Sequence, residues 1–198
     1  LRRARRLDKS NVVVNLLSAV LLADEGDYEA TKNLLESFVD NPKYVFSINY
    51  VLGMVYVAQS DHKNALTAFR RILASRPSAE ANYLTACVYY ETKRMKIAMR
   101  HLQKAVAMDE SFADAWYLLG VSYLEEKNQS AAQKALKMAI DAHDNGSHCQ
   151  TYLNNPKKRA ELKQPNLLFA FLENNGKNLV NQSAPRFQKL IREEISNS

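Results

Sequence analysis

The chain has 198 residues, a formal net charge of +6, five glycines, five prolines and two cysteines. So few Gly and Pro residues exclude a turn-rich β fold, and Cys87 and Cys149 are too few for a disulfide framework, which points to a reducing, cytoplasmic setting. The basic excess does not mark a nucleic-acid surface: residues 1–11 carry +4, 12–146 carry −2 and 147–198 carry +4, so the long central part is nearly neutral.

Taken in chain order, the first strong helical signal is Val12 to Ala23. Val12, Val13, Val14, Leu16, Leu17, Val20, Leu21 and Leu22 make it apolar nearly all round, as expected of a helix buried on both flanks. The run falls short of the roughly 20 residues that span a bilayer and is broken by Asn15, so a membrane segment is excluded. Gly26, Asp27 and Tyr28 form a turn, after which Thr31, Leu35 and Phe38 share one face of a second helix. The same grammar then repeats. Gly53, Tyr56, Ala65, Phe69, Ile72 and Pro77 come first, then Tyr89, Ala98, Leu102 and Ala105. Trp116, Leu119, Gly120, Tyr123, Ala132, Leu136 and Ala139 complete the series. The step is 33 or 34 residues throughout, and four registers agree. Gly53, Ala65, Ala86, Ala98, Gly120 and Ala132 are small where the two helices of a pair must cross closely. Asn49 and Asn82 replace a large early residue, and Glu110 and Asp144 stand where Pro77 stands in its own repeat.

This pattern, W-x2-L-G-x2-Y followed by a small residue and a large apolar one, resembles the tetratricopeptide-repeat (TPR) family over residues 12–146. The resemblance implies an all-α, right-handed superhelical solenoid of antiparallel helix pairs with a concave groove. The expected organisation is repeat one at 12–45, repeat two at 46–78, repeat three at 79–112 and repeat four at 113–146. In this register Leu1, Ala4, Leu7 and Asp8 match the end of a second helix, so residues 1–11 read as the remnant of an upstream repeat, with any targeting signal beyond view. Loss of that repeat would leave the Val12–Leu22 face open to self-association.

Beyond Asp144 the register fails. Asn145-Gly146 reads as a helix stop, and Lys157, Lys158, Arg159 and Lys163 form a basic stretch. Two further helices are expected at 166–174 and 184–195, the latter with Phe187, Leu190, Ile191 and Ile195 on one face. Residues 147–198 read as an irregular segment followed by a helical cap, or as a tail that returns into the groove or docks on a partner subunit.

Catalytic chemistry finds no foothold. His143, Asp144, His148 and Cys149 are the only metal-ligand cluster, but the histidines are five apart across Asn145-Gly146 and read as an exposed helix end. No phosphate-loop, nucleophile-elbow or zinc-hydrolase motif occurs, so no cofactor or metal is expected. What the resemblance implies for binding falls on the groove positions of the first helix of each repeat. These are Tyr50 and Met54 in repeat two; Glu80, Tyr83, Leu84, Cys87 and Tyr90 in repeat three; and Asp114, Tyr117, Leu118 and Val121 in repeat four. The Lys, Arg and Asn of the family's carboxylate clamp are missing there, which argues against chaperone-tail binding. Tyr50, Tyr83 and Tyr117 recur at one repeat position and make a ladder or ordinary packing, with Glu80, Asp114 and Glu125 as acidic margins. The expected function is a non-enzymatic scaffold that holds a protein or peptide partner in an apolar, tyrosine-lined groove within a larger complex. Two alternatives stand beside it: a structural element whose groove is filled by its own tail or a second copy, and an accessory module of an enzyme lost by truncation.

Overall fold

The computed structural model describes residues 11–142, which contain eight α-helices and no strand. Residues 1–10 and everything expected from His143 onward, including the His143–Cys149 cluster, lie outside the described residues. The described residues fall into two compact units, one ending at Pro77 and the other beginning at Ser78.

The first unit holds α1 (Val12–Asp24), α2 (Tyr28–Leu35), α3 (Val45–Ala58) and α4 (His62–Ser75). The second holds α5 (Ala79–Glu91), α6 (Met95–Met108), α7 (Ala113–Glu125) and α8 (Gln129–Asp141). Each odd-numbered helix packs chiefly on the even-numbered one that follows it. The small residues are what permit this. A Cβ on Gly53 would lie 2.2 Å from Cε1 of Phe69, and one on Gly120 would lie 2.7 Å from Cγ of Leu136. Ala65, Ala86, Ala98 and Ala132 are likewise fully buried. Around these crossings Leu35, Phe69, Ile72, Leu102 and Leu136 fill the core of their own pair.

The four tight turns are built alike. Gly26, Ser60, Lys93 and Lys127 take φ of 82°, 58°, 59° and 60°. The amide of the next residue then returns five residues to a carbonyl: Asp27 to Leu22, Asp61 to Tyr56, Arg94 to Tyr89 and Asn128 to Tyr123. This is a Schellman closure, which satisfies the carbonyls left over at a helix C-terminus. The same residue opens the following helix. The side chains of Asp27, Asp61 and Asn128 accept from the amides of Ala30, Asn64 and Ala131. Arg94 sits at the equivalent place and makes no such cap. Arg94→Asp is therefore expected to stabilise the protein by ~1 kcal/mol. A thermal melt should move up by a few degrees, and no gain would show that α6 needs no cap.

Two departures from the sequence pattern have local causes. The second helix tightens into a 3-10 turn at Glu36–Phe38, so Phe38 is only half-buried where its counterparts Ile72, Ala105 and Ala139 are fully buried. Asn49 secures that turn: its Nδ2 donates to the Val39 carbonyl at 2.7 Å and to the Val45 carbonyl at 2.9 Å. The apolar surface of α1 is divided between core and solvent among the described residues. Asn15, Leu16, Ala19 and Ala23 are buried, but Leu17 and Leu21 are 40% and 44% exposed. Packing on α2 and α3 covers one face of α1 and leaves the other to solvent.

Candidate partner-binding face

In the second unit, α5 and α7 present matched residues 34 positions apart: Glu80 with Asp114, Tyr83 with Tyr117, Leu84 with Leu118, Cys87 with Val121, and Glu91 with Glu125. Their placement follows from helix geometry. Asn82, Ala86 and Tyr89 turn toward α6, so Tyr83, Cys87 and Tyr90, one residue further on, stand about 100° round the helix. The contact with α6 is polar as well as apolar. Asn82 Nδ2 donates to the Ser78 carbonyl, its Oδ1 accepts from His101 Nδ1 at 3.0 Å, and the His101 ring stacks on Tyr89 at 5.8 Å. Asn82, which breaks the aromatic pattern, thereby gives His101 a structural partner. It also fixes the rotation of α5 that sets Tyr83 and Tyr90 apart from the pair interface.

The face itself is an aromatic strip between carboxylates. Tyr83 packs on Phe112 with ring centroids 4.9 Å apart and a tilt of 49°. The Tyr90 hydroxyl donates to Glu125 Oε1, which ties the C-terminal ends of α5 and α7 together. Lys93 Nζ lies 5.7 Å from the Tyr90 ring centroid. The Trp116 indole N–H donates to the Glu110 carbonyl at 2.9 Å and holds the loop that delivers Phe112. Burial pushes the Cys87 thiol far up; the negative charges of Glu91 and Asp114 add to this, and a hydrogen bond with Tyr83 opposes it. Such a thiol stays protonated and inert at neutral pH. Burial also raises the Glu91 carboxyl to about 7. Glu91 is not among the residues singled out by sequence, although the signal was there, since it occupies the register position of Glu125.

Leu84, Leu118 and Val121 are buried along this strip with Tyr83, Cys87, Tyr90 and Tyr117; Glu80 is buried too, and Asp114 is half-exposed. In the first unit, Tyr50 and Met54 of α3 are also buried. Tyr50 stacks on Phe46 at 6.0 Å, and burial raises its hydroxyl pKa. The positions expected to line a groove are thus buried. The opposite face of the second unit has the other charge: Lys96, Arg100, Lys104, Lys134 and Lys137 are exposed on α6 and α8. Among the described residues no three His, Cys, Asp or Glu side chains gather as a metal site, and no helix is long and apolar enough to cross a membrane.

A family model described as anaphase-promoting complex, cyclosome, subunit 3 matches residues 58–139. A search of curated proteins finds no match. Among solved structures, MamA residues 41 to the end from Desulfovibrio magneticus RS-1 superposes with a TM-score of 0.61 at 21% identity, covering 70% of this chain and 78% of that one. YrrB, described as a TPR protein with an unusual peptide-binding site, gives 0.60 at 19% identity over 87% of this chain and 97% of that one. The MamA AMB-1 structure gives 0.58 at 18% identity over 92% and 99%. At these identities the likeness is one of fold, an all-α TPR solenoid.

Proposed function

We propose that this chain, a tetratricopeptide-repeat protein, is a non-catalytic scaffold that holds a protein partner on the face of α5 and α7 turned away from their paired helices. One observation carries the reading. In the second unit, Tyr83, Tyr90, Tyr117 and Leu118 form an apolar strip with Glu80 and Asp114 at one end and Glu91 and Glu125 at the other. Aromatic groups at such a face bury large area with few rotamers to fix, so they anchor. The carboxylates then choose the sign of the partner and speed its approach.

The complementary ligand is an amphipathic helix or extended segment with apolar anchors and basic flanks. Tyr50 and Met54 of the first unit are assigned the same role at the equivalent place in repeat two. The match to a model of a multi-subunit-complex component and the peptide-binding description of YrrB support a partner inside an assembly.

The test is affinity capture with the protein, then titration of the captured partner against Tyr117→Ala and Lys137→Ala. Tyr117→Ala should weaken binding at least tenfold, about 1.4 kcal/mol, and Lys137→Ala should stay within twofold. Circular dichroism must show both variants folded. The reverse pattern would move the site to the basic face of α6 and α8.

A further inference from the structure

We propose that the outer face of α6 and α8 is a second docking surface, one that takes an acidic, amphipathic segment of a protein partner. It is separate from the face of α5 and α7 and does not depend on the reading given to that face. Unneutralised charge, apolar exposure and the composition of the two helices lead to it.

Both helices pack on α7, and they stand at the same place in successive repeats, so that Arg100 corresponds to Lys134. On α6, Lys96, Arg100 and Lys104 follow one another at four-residue steps along the side turned away from the buried Ala98, Leu102 and Ala105. On α8, Lys134 and Lys137 stand away from the buried Ala132, Leu136 and Ala139. Their charge is not neutralised inside the fold: none of these five cations forms an ion pair among the described residues. Within α6 there is no Asp or Glu, and within α8 only Asp141, at its last position. Arg94 and Lys96 moreover stand at the N-terminus of α6, where the helix dipole favours a carboxylate and disfavours a cation. Like charges gathered in this way repel one another, and an anionic partner relieves the repulsion.

Charge alone would fit any polyanion. Two thioethers narrow the choice. Among the described residues of the second unit, the large hydrophobic side chains that stand exposed are Met108 and Met138, at 52% and 37%. Both lie on these helices, Met108 one turn beyond Lys104 and Met138 next to Lys137. Met108 Sδ accepts from Asn82 Nδ2 at 3.6 Å, which anchors that side chain at the edge of the face. Flexible, polarizable methionines adapt to apolar groups of varied shape, which a phosphate backbone does not offer. Neither helix contains a Phe, Tyr or Trp on which a base could stack, unlike a platform for single-stranded nucleic acid. The complement is therefore a protein segment that sets carboxylates beside aliphatic side chains.

The probe is a fluorescein-labelled amphipathic peptide with a row of glutamates beside a row of leucines, titrated into the full chain and read by anisotropy. Binding should saturate and should weaken as salt rises. Arg100→Glu/Lys134→Glu should lower the affinity about tenfold, and Met108→Ser/Met138→Ser about threefold. Lys63→Glu/Arg76→Glu makes the same change of net charge at exposed positions of the first unit and should stay within about twofold. Circular dichroism checks that helicity is kept, and Arg100→Ala/Lys134→Ala replaces the reversal where it perturbs folding. An equal loss in Lys63→Glu/Arg76→Glu overturns the proposal, because net charge rather than this face would set the affinity. Full affinity in the methionine variant overturns it too, as does a peptide that never saturates. An oligoadenylate that binds more tightly than the peptide, and through Arg100 and Lys134, would make nucleic acid the ligand instead. None of these outcomes bears on the Tyr117→Ala titration, so the two surfaces fail independently.

Discussion

Gly53→Ala is expected to destabilise the protein by ~3 kcal/mol, a fall in melting temperature of roughly 6–12 °C. The added methyl would sit 2.2, 2.7 and 2.8 Å from Cε1, Cζ and Cδ1 of Phe69, and that ring is fully buried. An aromatic ring in a packed core cannot yield by bending its tip as a lysine would. Either the ring leaves its rotamer or α3 and α4 move apart, and both loosen every contact along the pair. Phe69→Leu in the same chain removes Cε1 and Cζ, the two nearest of the clashing atoms, so the double variant should be more stable than the two single losses predict. A double-mutant cycle reads this directly. Strictly additive losses would mean that the close approach of Gly53 and Phe69 is not what limits the crossing. Gly120→Ala should show less rescue. Its neighbour Leu136 offers not only Cγ and Cδ2 but also its backbone nitrogen, 3.2 Å away, and backbone cannot be trimmed.

That crossing also shows how far sequence alone reaches. Gly53, Ala98, Gly120 and Ala132 announce close helix approaches because nothing else explains small residues at a fixed period inside apolar stretches. The turns are equally legible, being short-range: Asp27, Asp61 and Asn128 each cap the helix that starts beside them. What stays hidden depends on partners far along the chain or on several small energies at once. Nothing near Asn82 in the sequence reveals His101, nineteen residues on. The 3-10 tightening at Glu36–Phe38 is a local backbone choice worth little energy, and it turns Phe38 partly out of the core. The inner face is the sharpest case. Periodicity locates Tyr83, Tyr90 and Tyr117 on one side of their helices, but it carries no information about their exposure, and in the folded chain they are buried.

Glu91 gives that buried face a pH dependence. Burial raises its carboxyl from the ordinary 4.5 to about 7, because the charged form is the one that loses water. Below pH 4.5 the group is protonated in both the folded and unfolded chain and contributes no difference. Between 4.5 and about 7 the folded state holds the proton more tightly, so stability falls as pH rises, and above 7 the full penalty is present. For a half-buried carboxylate still partly screened by water, that penalty is about 2 kcal/mol. Glu91→Gln keeps the shape and removes the charge. Its melting temperature should match the parent at pH 4 and exceed it by several degrees at pH 8, the gap opening across the window between. Parallel curves for parent and variant would mean that the carboxylate ionises in place without cost. The same titration bears on binding, because a basic partner can pair with Glu91 only once it is ionised. Affinity for a cationic segment should therefore rise from pH 5 to pH 8 in the parent and lose that part of its slope in Glu91→Gln.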